Sequence, residues 1–255
     1  VSLNTFQRME KKIHINTADV ELLKARITPF MYADEYNKDG QPYMICNLYY
    51  DDDSNSVIRN SIQLPKYKEK LRLRSYGTPT LDSKVFIELK KKLNGVGTKR
   101  RAKITLRQVN EFIETKKIPV GLKYIDDQVL REIEYYLSHQ AVYPRTYVSY
   151  LRDAYFGKDD PSFRVTFDHD ILTRRYDLDL TLGRYGDPLL PPDITLVEVK
   201  FSGAVPVWFS HIMSDMGISF NTFSKYGASF KKYTYDYSRS LGNSLPPYEK
   251  TGSQK

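Results

Sequence analysis

The sequence predicts an α+β protein: a closed antiparallel β-barrel of about eight strands with peripheral helices. Three observations point there. Charged residues recur at even spacing inside otherwise apolar runs: Arg72 and Arg74 in KLRLRSY, Glu88, Lys90 and Lys92 in VFIELKKKL, Arg101 and Lys103 in KRRAKI, Arg164 and Asp168 in FRVTFD, Glu198 and Lys200 in TLVEVKF. Residues two apart share a strand face, so these strands have one apolar face and one charged, mainly basic face. Short turns join most of the strands, which makes neighbours antiparallel. A sheet of this size with a polar inner face closes most naturally on itself, with its apolar faces outward against helices. The enclosed charge suits a polyanion.

The elements follow in order. Residues 5–15 (TFQRMEKKIHI) predict a strand with Arg8, Glu10 and Lys12 on one face. Asn16 or Thr17 caps a helix whose stripe is Val20, Leu23 and Ile27. Asn37-Lys38-Asp39-Gly40 marks a turn. Residues 43–50 predict a strand, and 51–60 a loop or short helix. Strands follow at 68–76, 84–93 and 99–107, the last two joined as a hairpin through Asn94-Gly95-Val96-Gly97. Residues 108–115 predict a short helix. Asp126 or Asp127 caps a longer one to His139, with Val129, Ile133, Tyr136 and Leu137 on one side. Strands return at 142–155, 162–169, 172–182 and 194–201, and helices at 205–216 and 219–230. Residues 1–235 are expected to form a single domain. The Ser-, Gly-, Pro- and Lys-rich stretch 236–255 is expected to be a disordered tail.

Composition narrows the partners. The 255 residues are 40% hydrophobic, enough for a core, and carry a net charge of +8, which favours anionic ligands. Charge alone leaves nucleic acid, nucleotide, polyphosphate and acidic membrane open. The one cysteine, Cys46, excludes an intramolecular disulfide and suits a reducing compartment. No apolar run approaches the roughly 20 residues of a membrane helix. No leader is visible, so a cytoplasmic location is expected. The basic residues alternate in strands and no recognition-helix pattern is seen, which argues against a duplex-DNA binder.

Taken singly, Arg72 with Arg74, or Glu88 with Lys90, could decorate an exposed sheet face. Glu198 and Lys200 are harder to place in solvent, because Leu196, Val197, Val199 and Phe201 make both faces of that strand look buried. Burying such a pair costs several kcal/mol per ion unless the charges pair or bind something. Recurrence over several strands favours a functional lining. Gly95-Val96-Gly97-Thr98-Lys99 fails the phosphate-loop spacing. Asp168-His169-Asp170 reads as a strand-end surface histidine rather than a metal site, and Asp51-Asp52-Asp53 as a solvated turn. The 21 tyrosines could stack on bases, though most fit as packing.

Several segments carry a family likeness: FQRMEKKIHI, KLRLRSY, VFIELKKKLNGVGTKRR, YVSYLRDAYFG followed by FRVTFD, LVEVKFSGAVPVW and FNTFSKYGAS. In this order and spacing, over most of residues 6–230, the chain resembles the VTC-type polyphosphate polymerase domain of the triphosphate tunnel (CYTH-like) superfamily. The membrane-spanning and inositol-phosphate-sensing parts of eukaryotic relatives are not seen in the sequence, so a stand-alone prokaryotic version is expected. The resemblance implies a basic tunnel that binds ATP and polyphosphate. It places Lys12, Arg72, Arg74, Lys90, Arg152, Arg164 and Lys200 on the phosphates, together with Lys225. It places Tyr150 beside Arg152 in the lining, and Glu198 on a divalent cation, Mn²⁺ or Mg²⁺. Arg101, Lys103 and Glu10, on the same charged faces, join the expected lining. Hydrolytic relatives typically carry Glu-x-Glu-x-Lys on the first strand. Arg8, Glu10 and Lys12 stand there in this chain, which favours transfer over hydrolysis. A triphosphatase and a non-catalytic polyphosphate or inositol-phosphate binder remain the alternatives.

Overall fold

Alternating apolar and charged residues do build strands, and the strands join one antiparallel sheet. The computed structural model describes residues 8–37, 40–63, 66–94 and 96–240. Its strands are β1 (Arg8–Asn16), β2 (Met31–Ala33), β3 (Tyr43–Asp51), β4 (Tyr67–Tyr76), β5 (Lys84–Leu93), β6 (Val96–Thr105), β7 (Tyr143–Gly157), β8 (Arg164–Arg174), β9 (Asp187–Pro188) and β10 (Ile194–Ser202). The ladder runs β1-β10-β8-β7-β3-β4-β5-β6, with β2 added on β7 and β9 on β8.

Two expectations are corrected. The sheet has ten strands rather than about eight, because β2 and β9 are too short to leave a period in the sequence. Nor is it a closed barrel: β1 and β6 are the ends of the ladder. The outer edge of β1 is met at one point. Asn221 bridges to Lys12, and its backbone N–H donates to the Lys12 carbonyl at 2.7 Å. The segment that does this, 219–224, was expected to be helical. The helix begins only at Lys225.

The helices are α1 (Thr17–Ile27), α2 (Ser56–Ile62), α3 (Leu106–Thr115), α4 (Tyr124–His139), α5 (Val207–Asp215) and α6 (Lys225–Ser240). Asn16 caps α1 by accepting from the Ala18 N–H. Thr105 and Gln108 form a reciprocal capping box on α3. The α4 cap is Lys123, without a side-chain bond, rather than Asp126 or Asp127. Both aspartates lie in the first turn, where the helix dipole favours acid, and Asp126 accepts from the Lys103 N–H.

The outward apolar faces are covered as expected. Leu71, Leu73, Val85, Ile87, Leu89 and Ile104 pack under Val109 and Phe112 of α3 and Leu130 and Ile133 of α4. Ile13, Ile15, Val165, Phe167, Val197 and Val199 pack under Leu23 and Ile27 of α1 and Phe209 of α5. Each such buried side chain contributes about 1.5–3 kcal/mol.

The segments 162–169 and 172–182 do not form two strands. They merge into β8, which ends at Arg174. A register shift between Ser149 and Leu151 places an extra residue opposite β7, and Asp170 there takes φ 48°. The β5–β6 hairpin is present, with Leu93 opposite Val96. Gly95, the turn residues Lys38 and Asp39, residues 5–7 of the first strand, and the tail beyond Ser240 lie outside the described residues. No helix among the described residues is long and apolar enough to cross a membrane.

Candidate functional site

Strand register sorts the inward charges into rows. Asn47, Arg74, Phe86 and Lys103 lie side by side across β3, β4, β5 and β6. The next row is Tyr49, Arg72, Glu88 and Arg101, and the next Lys70, Lys90 and Lys99. On the other half of the sheet, Lys12, Glu198 and Thr166 form a row across β1, β10 and β8, beside a row of Glu10, Lys200 and Arg164. His14, Leu196, Asp168, Arg152 and Tyr43 continue the series through β7 to β3.

The sheet curls so that these halves face each other. Arg74 on β4 reaches over β3 to the Tyr150 hydroxyl on β7 at 3.3 Å, and Arg164 on β8 reaches over β7 to the Tyr43 hydroxyl at 3.2 Å. In a flat sheet β1 and β5 would stand roughly 30 Å apart. Here Glu10 acts electrostatically on Lys90, and Lys12 on Lys70. The charged face is therefore a concave interior although the ladder stays open.

One wall is rich in carboxylates. Arg152 donates through Nε to Asp168 at 2.6 Å and through Nη2 to the same carboxylate at 2.7 Å and to Glu198 at 3.1 Å. Lys225, at the start of α6, donates to Asp168 at 2.5 Å and to Glu198 at 2.8 Å, and lies 4.6 Å above the Tyr150 ring. Asp168 is fully buried, and Arg152, Glu198 and Lys225 nearly so. Burial alone would raise the Glu198 carboxyl, but Lys225, Arg152 and Lys200 outweigh it and hold it well below the usual carboxylate range. Burial likewise opposes the Lys225 charge, and Asp168 and Glu198 overcome it. Glu10 completes this wall, 2.9 Å from Lys12 and 3.7 Å from Lys200, which also lies 3.8 Å from Glu198.

The opposite wall is cationic. Arg72 is paired with the buried Glu88, through Nε at 2.9 Å, and donates to the Tyr49 hydroxyl at 3.2 Å. Lys99 approaches Glu88 at 3.4 Å. Lys70, Arg74, Lys90, Arg101 and Lys103 make no ion pair among the described residues. Beside Lys90, the Arg72 guanidinium first, then its enclosure in this wall and Arg74, push the ammonium well below the ordinary value. Lys70 is lowered to about 8 by burial and then by Lys68 and Lys12. Lys200 falls to about 8 as well, burial outweighing Glu198 and Glu10. Such crowding is what an anion would relieve.

All the residues expected in the lining face this interior, but in different situations. Arg72, Arg74, Lys90, Arg101 and Lys103 gather on the cationic wall. Lys12, Lys200 and Glu10 cluster near Glu198. Arg164 sits at one end, 3.2 Å from Asp34. Arg152 and Lys225 bind carboxylates, with Tyr150 stacked beneath both. Three partners were missed as site residues: Asp168, Glu88 and Asn47, which accepts from Arg74 Nε at 2.9 Å. Strand parity already placed Asp168 and Glu88 inward. What the sequence does not show is which cation each one meets. His169 is not at a strand end: it lies within β8, beside the bulge.

A family model described as VTC domain matches residues 7–234. No curated protein matches. Among solved structures, an adenylate cyclase candidate of Bacillus halodurans is 15% identical over 86% of this chain and 95% of its own, with a TM-score of 0.48. A second such candidate, from Vibrio parahaemolyticus, is 10% identical over 88% and 97%, with a TM-score of 0.45. A third, from Hippeastrum and described as having a dominant triphosphatase activity, is 15% identical over 93% and 98%, with a TM-score of 0.48. The family match, not these distant likenesses, carries the assignment.

Proposed function

The chain belongs to the VTC domain family, and on that premise we propose that it is an ATP-dependent polyphosphate polymerase. Membership itself supports a role on polyphosphate or triphosphate. The observation that carries the finer reading is the division of one interior into a cationic wall and a carboxylate wall. Phosphoryl transfer needs positioning and neutralisation of charge more than covalent help from the protein. Arg74 would hold the triphosphate, and Lys70, Lys90 and Lys99 the phosphate or polyphosphate end that meets it. Arg72, oriented by Glu88, would stabilise charge on the transferring γ-phosphoryl, with Arg164 and Lys200 at its other side. Guanidinium forks suit this because they meet two phosphate oxygens at once. An oxygen of a phosphate or polyphosphate end attacks the γ-phosphorus in line. The new P–O bond forms as the bond to the β–γ bridging oxygen breaks, and ADP leaves with that electron pair.

A divalent cation, Mn²⁺ or Mg²⁺, fits the carboxylate wall. Glu198 and Glu10 share Lys200, and the buried Thr166 hydroxyl across from Glu198 has no partner among the described residues. No cluster of three or more ligating side chains occurs among the described residues. A hard ion there would be held by one or two carboxylates and completed by phosphate oxygens. When bound, the ion would neutralise phosphate charge. Arg152 and Lys225 would fix the Glu198 carboxylate that meets it.

The test is incubation of the full chain with ATP and Mn²⁺, assaying ADP, free phosphate and acid-insoluble polymer. Polymer formed with ADP is expected. Free phosphate without polymer would replace this reading with a triphosphatase. Retained polyphosphate binding with no product would make the chain a binder.

A further inference from the structure

The two ends of the interior differ chemically, and one of them is aromatic. Tyr36, Tyr43, Tyr76 and Phe86 form a connected group of rings. Tyr36 and Tyr76 are near parallel with centroids 6.1 Å apart, Tyr43 lies 5.9 Å from Tyr76, and Phe86 meets Tyr76 edge-on at 5.8 Å. Tyr36 is 60% exposed and Tyr76 47%, so their faces are open to a ligand rather than sealed in a core. Cations lie among them. The Arg101 guanidinium is 4.7 Å from the Phe86 ring centre and the Lys103 ammonium 5.6 Å. Asp34, which pairs with Arg164, also accepts from the Tyr36 N–H at 3.1 Å, tying the ring-bearing loop to the interior. Toward the far end the rings are packed away: Tyr49 stacks on Tyr226 with centroids 4.5 Å apart and Lys70 lies 5.7 Å from the Tyr226 ring, but Tyr226 is buried and Tyr49 half-buried. There Lys68, Lys70, Lys90, Lys92 and Lys99 lie together on β4, β5 and β6.

We propose that the aromatic end is a nucleobase platform, on which the base of a nucleoside triphosphate stacks while its phosphates point inward. Rings with exposed faces flanked by cations recognise the π-face of any base, with little discrimination among bases. Strand β4 sets the spacing. Tyr76, Arg74 and Arg72 follow one another inward at about 7 Å intervals on one face. A base on Tyr76 thus leads into Arg101, Lys103 and Arg74, and then to Arg72. The lysine end is left to the phosphate-only portion of the ligand. This gives the interior a direction: nucleoside at the tyrosines, polymer at the lysines.

The inference rests on the phosphotransferase reading above, and its test separates the two. The double variant Tyr36→Ala/Tyr76→Ala is titrated with ATP and with tripolyphosphate, which has no base, alongside the unaltered chain. The variant is expected to lose about tenfold in ATP affinity, with tripolyphosphate affinity unchanged. Fluorescence of 1,N6-ethenoadenosine triphosphate should be quenched by the unaltered chain and by Tyr36→Trp, and not by the double variant. Unchanged ATP affinity in the double variant overturns the platform alone. An equal loss for both ligands also overturns it, since the rings would then act through the interior rather than on the base. If the unaltered chain binds neither ligand, the phosphotransferase reading falls, and the platform with it.

Discussion

The two walls of the interior use the same residue types to opposite ends. On β7, β8 and β10, guanidinium and ammonium groups face carboxylates at hydrogen-bond distance, and Asp168 has no exposed surface. On β4, β5 and β6, Glu88 is the one carboxylate facing the interior among the described residues, and its cationic neighbours repel one another. The first wall is internally compensated. Its ion pairs hold one carboxylate in place. The second wall is left with charge to offer a ligand. A structural ion-pair network and a binding surface are thus told apart by compensation, not by the number of charges.

Substitutions on each wall break or sharpen this contrast. The largest effect is expected at Glu198→Gln: ADP formation from ATP should fall by on the order of 10²–10³-fold, with tripolyphosphate binding largely kept. Parallel loss of both would show that Glu198 serves the fold rather than the reaction. Next is Asp168→Asn. Removing one partner of a buried ionic cluster costs about 3–5 kcal/mol, so Tm should drop by on the order of 10 °C in a thermal melt. Arg74→Ala on the other wall should do the converse, losing about tenfold in tripolyphosphate affinity (about 1.4 kcal/mol) with a smaller change in Tm. Equal Tm losses on both walls would erase the distinction.

The smallest effect is with pH. Lys70 and Lys200 are lowered to about 8 from 10.5. Between those values the unfolded chain keeps protons that the folded chain has released. The two lysines therefore push the unliganded protein's stability up as pH rises through that window. Anion affinity moves the other way, since the same groups lose their charge. Titrations with tripolyphosphate at pH 7 and pH 9 should show weaker binding at pH 9, by about tenfold or less. Tighter binding at pH 9 would place the anion elsewhere.

Much of this was legible in the sequence because a strand's period of two is unambiguous. The inward assignment of Arg72, Arg74, Lys90, Arg164, Glu198 and Lys200 needed only parity. The placement of Lys225 came from resemblance alone, for it lies on a helix and reaches the strands through tertiary packing. That packing has its own anchor in Asp51, which lies fully buried at the end of β3 rather than in the solvated turn expected of Asp51-Asp52-Asp53: it accepts from the Val57 and Ile58 N–H groups of α2 and from the neighbouring Tyr226 hydroxyl. The bulge at Asp170 hid the continuity of β8, because an extra residue resets the alternation. Openness of the sheet was hidden too. It turns on β1 and β6 staying unpaired at the two ends of the ladder, which no local pattern records.

The most direct test is a crystal structure of the chain with Mn²⁺ and tripolyphosphate, with the metal located by its anomalous scattering. The account predicts phosphates along Arg72, Arg74, Lys90 and Lys99, and manganese at Glu198 with Glu10. Phosphates bound on the outer, helix-covered side of the sheet, or manganese remote from Glu198, would contradict it.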